Sequence, residues 1–132
     1  MKKVCLWVSL LASVVAACSA SNSDNKQSAG ADPTGATCPS ESVLTYESFG
    51  KPFMTEYCVR CHSSSVSGGA RDGAPIDHNF DTLEGIRTFA EHIDESAAAG
   101  PTHTNVNMPP SDPRPSLDQR QKLGEWLACG AP

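Results

Sequence analysis

The tightest constraint in this sequence is a pair of cysteines three positions apart with a histidine directly behind the second. They form Cys58-Val59-Arg60-Cys61-His62, inside TEYCVRCHSSS. Three chemistries use this pattern or most of it: a redox dithiol, half of a zinc site, and covalent attachment of a haem. Each needs a different setting. A thioredoxin-like dithiol needs a βαβ unit, and zinc needs a second close pair of ligands. Haem attachment needs export, helices and a further iron ligand.

The N-terminus speaks to export. Met1-Lys2-Lys3 is a short basic head, and Val4 to Ala17 is an almost unbroken run of apolar and small residues. That run is too short to span a bilayer as an ordinary helix and has the anatomy of a signal peptide. It ends Val15-Ala16-Ala17-Cys18, which resembles the lipobox of bacterial lipoproteins. The resemblance implies cleavage after residue 17, a lipid on the Cys18 thiol, and a chain anchored to a bacterial membrane on its periplasmic or outer side. Loss of Lys2 and Lys3 with the leader takes the net charge from −5 to −7. Without a basic patch, nucleic acid is not an expected partner. Residues 18–37 hold only small, polar and turn-forming side chains after the cysteine, so a flexible tether is expected there. The folded domain is expected over 38–132.

Cysteine counting narrows the motif. Cys5 leaves with the leader and Cys18 takes the lipid, so Cys38, Cys58, Cys61 and Cys129 remain. If Cys58 and Cys61 hold a cofactor, Cys38 and Cys129 are left for each other in an oxidising compartment. Such a bridge would close most of the domain into one loop, worth about 4–5 kcal/mol on the chain-entropy account. A four-thiolate zinc site fits poorly, because Cys38 and Cys129 do not form a second close pair.

Periodicity predicts an all-α domain. Phe49, Phe53 and Tyr57, with Tyr46 ahead of them, form one stripe over about Ser42 to Cys58. Gly50 and Pro52 interrupt it, so two short helices joined near Gly50 are expected. A second helix is expected over about Asp81 to Ala98, with Asp81 as N-cap, Glu84 three residues on, and Leu83, Ile86, Ala90 and Ile93 inward. Gly100-Pro101 stops it. A third is expected over Ser116 to Cys129, with a Ser116/Gln119 capping box and Leu117, Leu123, Trp126 and Leu127 inward. No stretch alternates convincingly as a strand, which removes the thioredoxin-like setting. The long connections 62–80 and 100–115 call for something to organise them. With hydrophobic residues at 39% and aromatics at 6%, the core is modest, and a large apolar cofactor would help such a chain fold.

A candidate for the further iron ligand lies in NVNMPPSDP. Met108-Pro109-Pro110 lies 46 residues beyond His62, chain enough to reach across a porphyrin. With CxxCH near the domain's start and this methionine toward its end, the chain resembles the class I c-type cytochromes over about residues 42–130. The resemblance implies a small helical domain wrapped around one covalently bound haem c. Cys58 and Cys61 would form the thioethers, His62 the proximal iron ligand and Met108 the distal one. His103 is the alternative distal ligand, and His78 and His92 are weaker ones. Met54 is read as packing. The resemblance also implies a proline-loop carbonyl as acceptor for the second ring nitrogen of His62; Pro75 is the candidate. Arg60 and Arg71 are read either as partners of the haem carboxylates or as solvated surface groups. Tyr57 and Trp126 are read as core or haem-edge packing. The first and last helices are expected to cross, with the Cys38–Cys129 bridge pinning them.

The implied function is electron transfer between redox partner proteins, not catalysis. The alternatives are a haem subunit of a larger respiratory or oxidoreductase complex, and a haem sensor or enzyme with an open sixth position.

Overall fold

A computed structural model of the chain describes residues 32–132. The leader, Cys18 and most of the expected tether lie outside the described residues. Within them the chain is all-α, as the periodicity predicts. There is no strand beyond an isolated bridge between Ala99 and Thr104. No described helix is long and apolar enough to cross a membrane.

The aromatic stripe builds the first helical segment. A π-helical turn over Tyr46–Gly50 runs into α1, Lys51–Tyr57. Thr45 and Ser48 cap the turn reciprocally, so it begins later than residue 42. Pro52 lies in the first turn of α1, where a missing N–H costs little. Phe49, Phe53 and Tyr57 pack in sequence as tilted rings, with centroids 5.4 and 5.0 Å apart.

Gly50 explains the interruption of that stripe. A Cβ at this position would lie 2.3 Å from Trp126 Cζ2. The first segment can therefore meet the last helix, α4 (Leu117–Ala128), only through a residue without a side chain. The Ser116/Gln119 capping box is formed, and Leu123, Trp126 and Leu127 are buried. Leu117, expected inward, is instead 56% exposed, because the first turn of α4 projects past the core. Gln119 Nε2 donates to Tyr57 Oη at 2.9 Å and joins the end of α1 to the start of α4. Cys38 and Cys129 are joined by a disulfide, with Cα atoms 4.7 Å apart.

The middle helix departs from expectation in two ways. Thr82, not Asp81, is its N-cap, with its hydroxyl accepting from Gly85 N. Asp81 is engaged elsewhere, accepting from Ser63 and Ser64. The helix is also split into α2, Leu83–Thr88, and α3, Ala90–Ala97. At the junction Phe89 leaves helical geometry and stacks on His78, centroids 4.0 Å apart. The Thr88 hydroxyl donates back to the Glu84 carbonyl, a bond that bends helices. Ile86 and Ile93 are buried, and Leu83 and Ala90 pack partly against them.

The tether boundary also moves. Residues 33–37, expected to be flexible, lie against the domain. Thr34 is fully buried, and its amide and hydroxyl both donate to the Asp94 carboxylate at 2.9 and 2.7 Å. The backbone of this strap passes so close to Gly100 that a Cβ there would be 2.6 Å from the Thr34 carbonyl oxygen. Apolar periodicity gave no sign of this, because polar bonds and a small-residue fit hold the strap.

Helix propensity alone predicts that Gly50→Ala stabilises the chain. The crossing predicts the reverse, a loss of about 1–3 kcal/mol from overpacking. The urea unfolding midpoint decides between them: it should fall in the variant, and an unchanged or higher midpoint contradicts the crossing.

Candidate functional site

The first segment, the following turn, α3 and the 108–115 loop surround one largely apolar cleft of about 240 Å3 that opens to solvent. Cys58, Cys61, His62 and Met108 all line it. The chain turns sharply after α1: the amides of Cys61 and His62 both donate to the Cys58 carbonyl, at 3.2 and 2.9 Å. That turn brings both thiols and the imidazole to the same cavity. Met108 arrives from a separate loop and is 40% exposed.

Other predicted residues fall as follows. Met54 is buried and does not line the cleft, which agrees with a packing role. His103 lies outside the cleft, with its Nε2 3.5 Å from the Asp32 carboxylate. Trp126 is in the core, not on the cleft wall, whereas Tyr57 belongs to both. His78 and His92 border the cleft and are hydrogen-bonded to each other, Nε2 to Nδ1 at 3.0 Å.

The expected role of Pro75 is corrected. His62 Nδ1 lies 3.2 Å from the carbonyl of His78. The Pro75 carbonyl accepts from Arg71 Nη2 at 2.5 Å. The physical reason is the tight loop 75–78, in which the His78 amide bonds back to the Pro75 carbonyl. This curls the chain so that the carbonyl three residues on faces the imidazole. With Nδ1 engaged, the tautomer is fixed as Nδ1–H, and Nε2 keeps its lone pair for a ligand-binding role. The His62 ring stacks on Phe80, with centroids 4.6 Å apart.

Burial sets the protonation of the site. Desolvation depresses the His62 pKa below its ordinary value, the bond to the His78 carbonyl partly opposing it. The imidazole is therefore neutral near pH 7, the form that can bind a metal. Desolvation pushes the Cys58 thiol up to about 12. A redox-active dithiol needs a thiolate stabilised at low pKa, and Cys58 is the opposite. Among the described residues no three His, Cys, Asp or Glu side chains are grouped to hold a metal ion.

Arginines do the organising that the long loops lack. Arg71, expected at the surface or on a haem carboxylate, is buried at 3% exposure. Its Nε donates to the Ala74 carbonyl, Nη1 to Ser63, Val66 and Asn79, and Nη2 to the Pro75 and His78 carbonyls. Arg60 reaches across the cleft mouth to the carbonyls of Ser111 and Asp112, at 2.6 and 2.7 Å, joining the CxxCH turn to the Met108 loop. Arg120, which the sequence reading passed over, is buried at 3% exposure. Its Nη1 donates to the carbonyls of Ala97, Asn105 and Met108, at 2.6, 2.9 and 2.9 Å. One signal could have found it: Arg120 lies on the same face of α4 as Leu123 and Leu127, the face that periodicity turns inward.

The chain matches no known family, no curated protein and no solved structure in comparisons with each.

Asp81, outside the cleft, gives the fold a pH signature. Bonds from Ser63 and Ser64 hold its carboxyl below 3.8 despite some desolvation. A depressed folded pKa contributes stability that is complete above the unfolded pKa and disappears as pH falls through the folded one. Between about pH 5 and pH 2 the wild type should therefore lose thermal stability more steeply than Asp81→Asn. Parallel melting curves across that range would show that Asp81 contributes nothing to the acid limb.

Proposed function

We propose that this chain is a membrane-tethered electron carrier holding one haem c. The observation that carries the reading is the convergence of Cys58, Cys61, His62 and Met108 on one apolar cleft, drawn from two loops far apart in sequence. The donor set fits the group: two thiols about one turn apart, a neutral imidazole with its lone pair held outward, and a thioether. Cys58 and Cys61 would hold the porphyrin as thioethers, and His62 Nε2 and Met108 Sδ would serve as iron ligands. The bound group supplies one-electron Fe(III)/Fe(II) chemistry.

The chain's own residues do the rest. The His78 carbonyl orients His62, and Arg120 and the Ser96 carbonyl fix the Met108 backbone through its carbonyl and amide. Phe53, Phe80 and Ile93 present apolar walls that exclude water. A His/Met pair in such surroundings favours a comparatively high potential. No acid or base on the cleft is needed to move a proton, so the chain is proposed as a carrier and not an enzyme. The net negative charge favours redox partners with basic docking faces, through contacts that weaken with salt. The lipid on Cys18 would keep those encounters at a membrane surface.

The chain should be produced with a c-type haem maturation system. A haem-stained band should then survive denaturing electrophoresis and vanish in Cys58→Ala/Cys61→Ala. Absence of the band from the wild type rejects the haem reading. In ferric Met108→Ala the weak near-infrared sulfur-to-iron band should disappear. A band that persists means another sulfur ligates the iron, and a wild type that never shows it favours a nitrogen ligand such as His103 or an open sixth position.

A further inference from the structure

The two candidate ligand loops share an unusual feature. Each is fastened by a buried arginine, and neither arginine forms an ion pair among the described residues. Buried charges are ordinarily matched by a countercharge. Here the partners are neutral: backbone carbonyls and, for Arg71, the Asn79 amide oxygen. Arg71 is held by enough acceptors to occupy all five of its N–H groups, which leaves none for a porphyrin carboxylate. Asp77 is solvent-exposed and bonded to the His78 imidazole rather than to Arg71.

We infer that Arg71 and Arg120 are a matched pair of positioning residues that lock the His62 and Met108 loops and would raise the reduction potential of an iron held by those loops. This inference rests on the haem reading above. Two physical effects act in the same direction. Reduction of Fe(III) by one electron from a partner protein removes one positive charge from the iron. Uncompensated positive charge fixed nearby in a poorly polarisable interior therefore favours the reduced form. The second effect passes through a shared acceptor. Arg71 Nη2 donates to the His78 carbonyl at 3.0 Å, and the same oxygen lies 3.2 Å from His62 Nδ1. A carbonyl that accepts from His62 Nδ1–H raises the basicity of the imidazole. Sharing that oxygen with a cation weakens the effect and leaves His62 a poorer donor to Fe(III). Arg120 acts on the other loop, holding the Met108 carbonyl at 2.9 Å beside those of Ala97 and Asn105.

The test is redox titration of the haem-loaded full chain and its variants. Arg71→Met and Arg120→Met should each shift the Fe(III)/Fe(II) ratio at fixed solution potential at least threefold toward ferric, about 28 mV for a one-electron couple. Asn79→Asp puts a carboxylate against Arg71 with little change of shape and should shift the ratio the same way. It therefore carries the charge test if Arg71→Met does not fold. Arg120→Lys keeps the charge but loses the planar fork. It should stay near the wild-type potential while its sulfur-to-iron band weakens, and it carries the test if Arg120→Met does not fold. Arg87→Met, which frees only the C-terminal carbonyls of Gly130 and Ala131, should leave the potential unchanged. Ratios within 1.5-fold of wild type in Asn79→Asp and the folded Met variants, or an unaltered band in Arg120→Lys, overturn the inference. Neither result touches the haem reading, which fails only if the wild type carries no haem.

Discussion

Backbone carbonyls without a helix or sheet to satisfy them are the central problem of this fold, and buried guanidinium groups are the solution. The loops 62–80 and 100–115 carry His62 and Met108 yet contain only a short 3-10 turn, Gly68–Arg71, and an isolated bridge. Unpaired buried carbonyls would cost about 1–3 kcal/mol each. Arg71 gathers the carbonyls of the first loop, and Arg120 gathers those of the second together with the end of α3. No buried side-chain nitrogen or oxygen among the described residues is left without a partner. The loops are held instead by side chains that reach their carbonyls from a neighbouring turn and from α4.

That arrangement requires α4 to be held fixed, because Arg120 can reach the Met108 loop only from a helix in a set position. Several contacts hold it, including the Ala99 amide donating to the Arg120 carbonyl and the Ser42 hydroxyl donating to Glu125. Gly50 admits the Trp126 ring, the Cys38–Cys129 bridge closes the chain near its far end, and Gln119 binds Tyr57. Arg87 and the amide of Tyr46 secure the residues after α4 through the carbonyls of Ala131 and Pro132. The frame and the site are one mechanical unit: α1 delivers the CxxCH turn, α4 delivers Arg120, and the Gly50–Trp126 contact together with the packing of α3 on α4 sets the relation between the two.

Much of the helical frame was legible in the sequence, and for a clear reason. The Tyr46/Phe49/Phe53/Tyr57 stripe and the Ser116/Gln119 box are local signals, complete within one or two helical turns. The convergence of the CxxCH turn with Met108 was likewise foreshadowed by residue types whose chemistry admits few uses. What was not legible depended on distant partners. The kink at Phe89 needs His78 as a stacking partner, and the Thr34 strap needs Asp94 and the open space at Gly100. The acceptor for His62 moved from Pro75 to His78 because of a turn that spacing does not encode. The buried arginines were least legible, since charge in a sequence reads as surface until the fold supplies enough acceptors to take it inside.

The cleft and the core are made of the same residues, and this ties folding to the proposed function. Phe53, Tyr57, Phe80, Ile93 and Ala97 are counted among the buried core, yet each also lines the cleft. The core is therefore one side chain thick along this wall, with packing on one face and open space on the other. Atoms lining such a gap forgo dispersion contacts that a filled interior would supply. An apolar group seated there would complete the packing, and whatever binds the folded chain alone adds its binding free energy to the stability of the fold. Covalent attachment through Cys58 and Cys61 would make that contribution permanent. With a haem bound as proposed, a domain with few aromatics would keep the His62 and Met108 loops ordered, because Arg71 and Arg120 already hold them through backbone carbonyls.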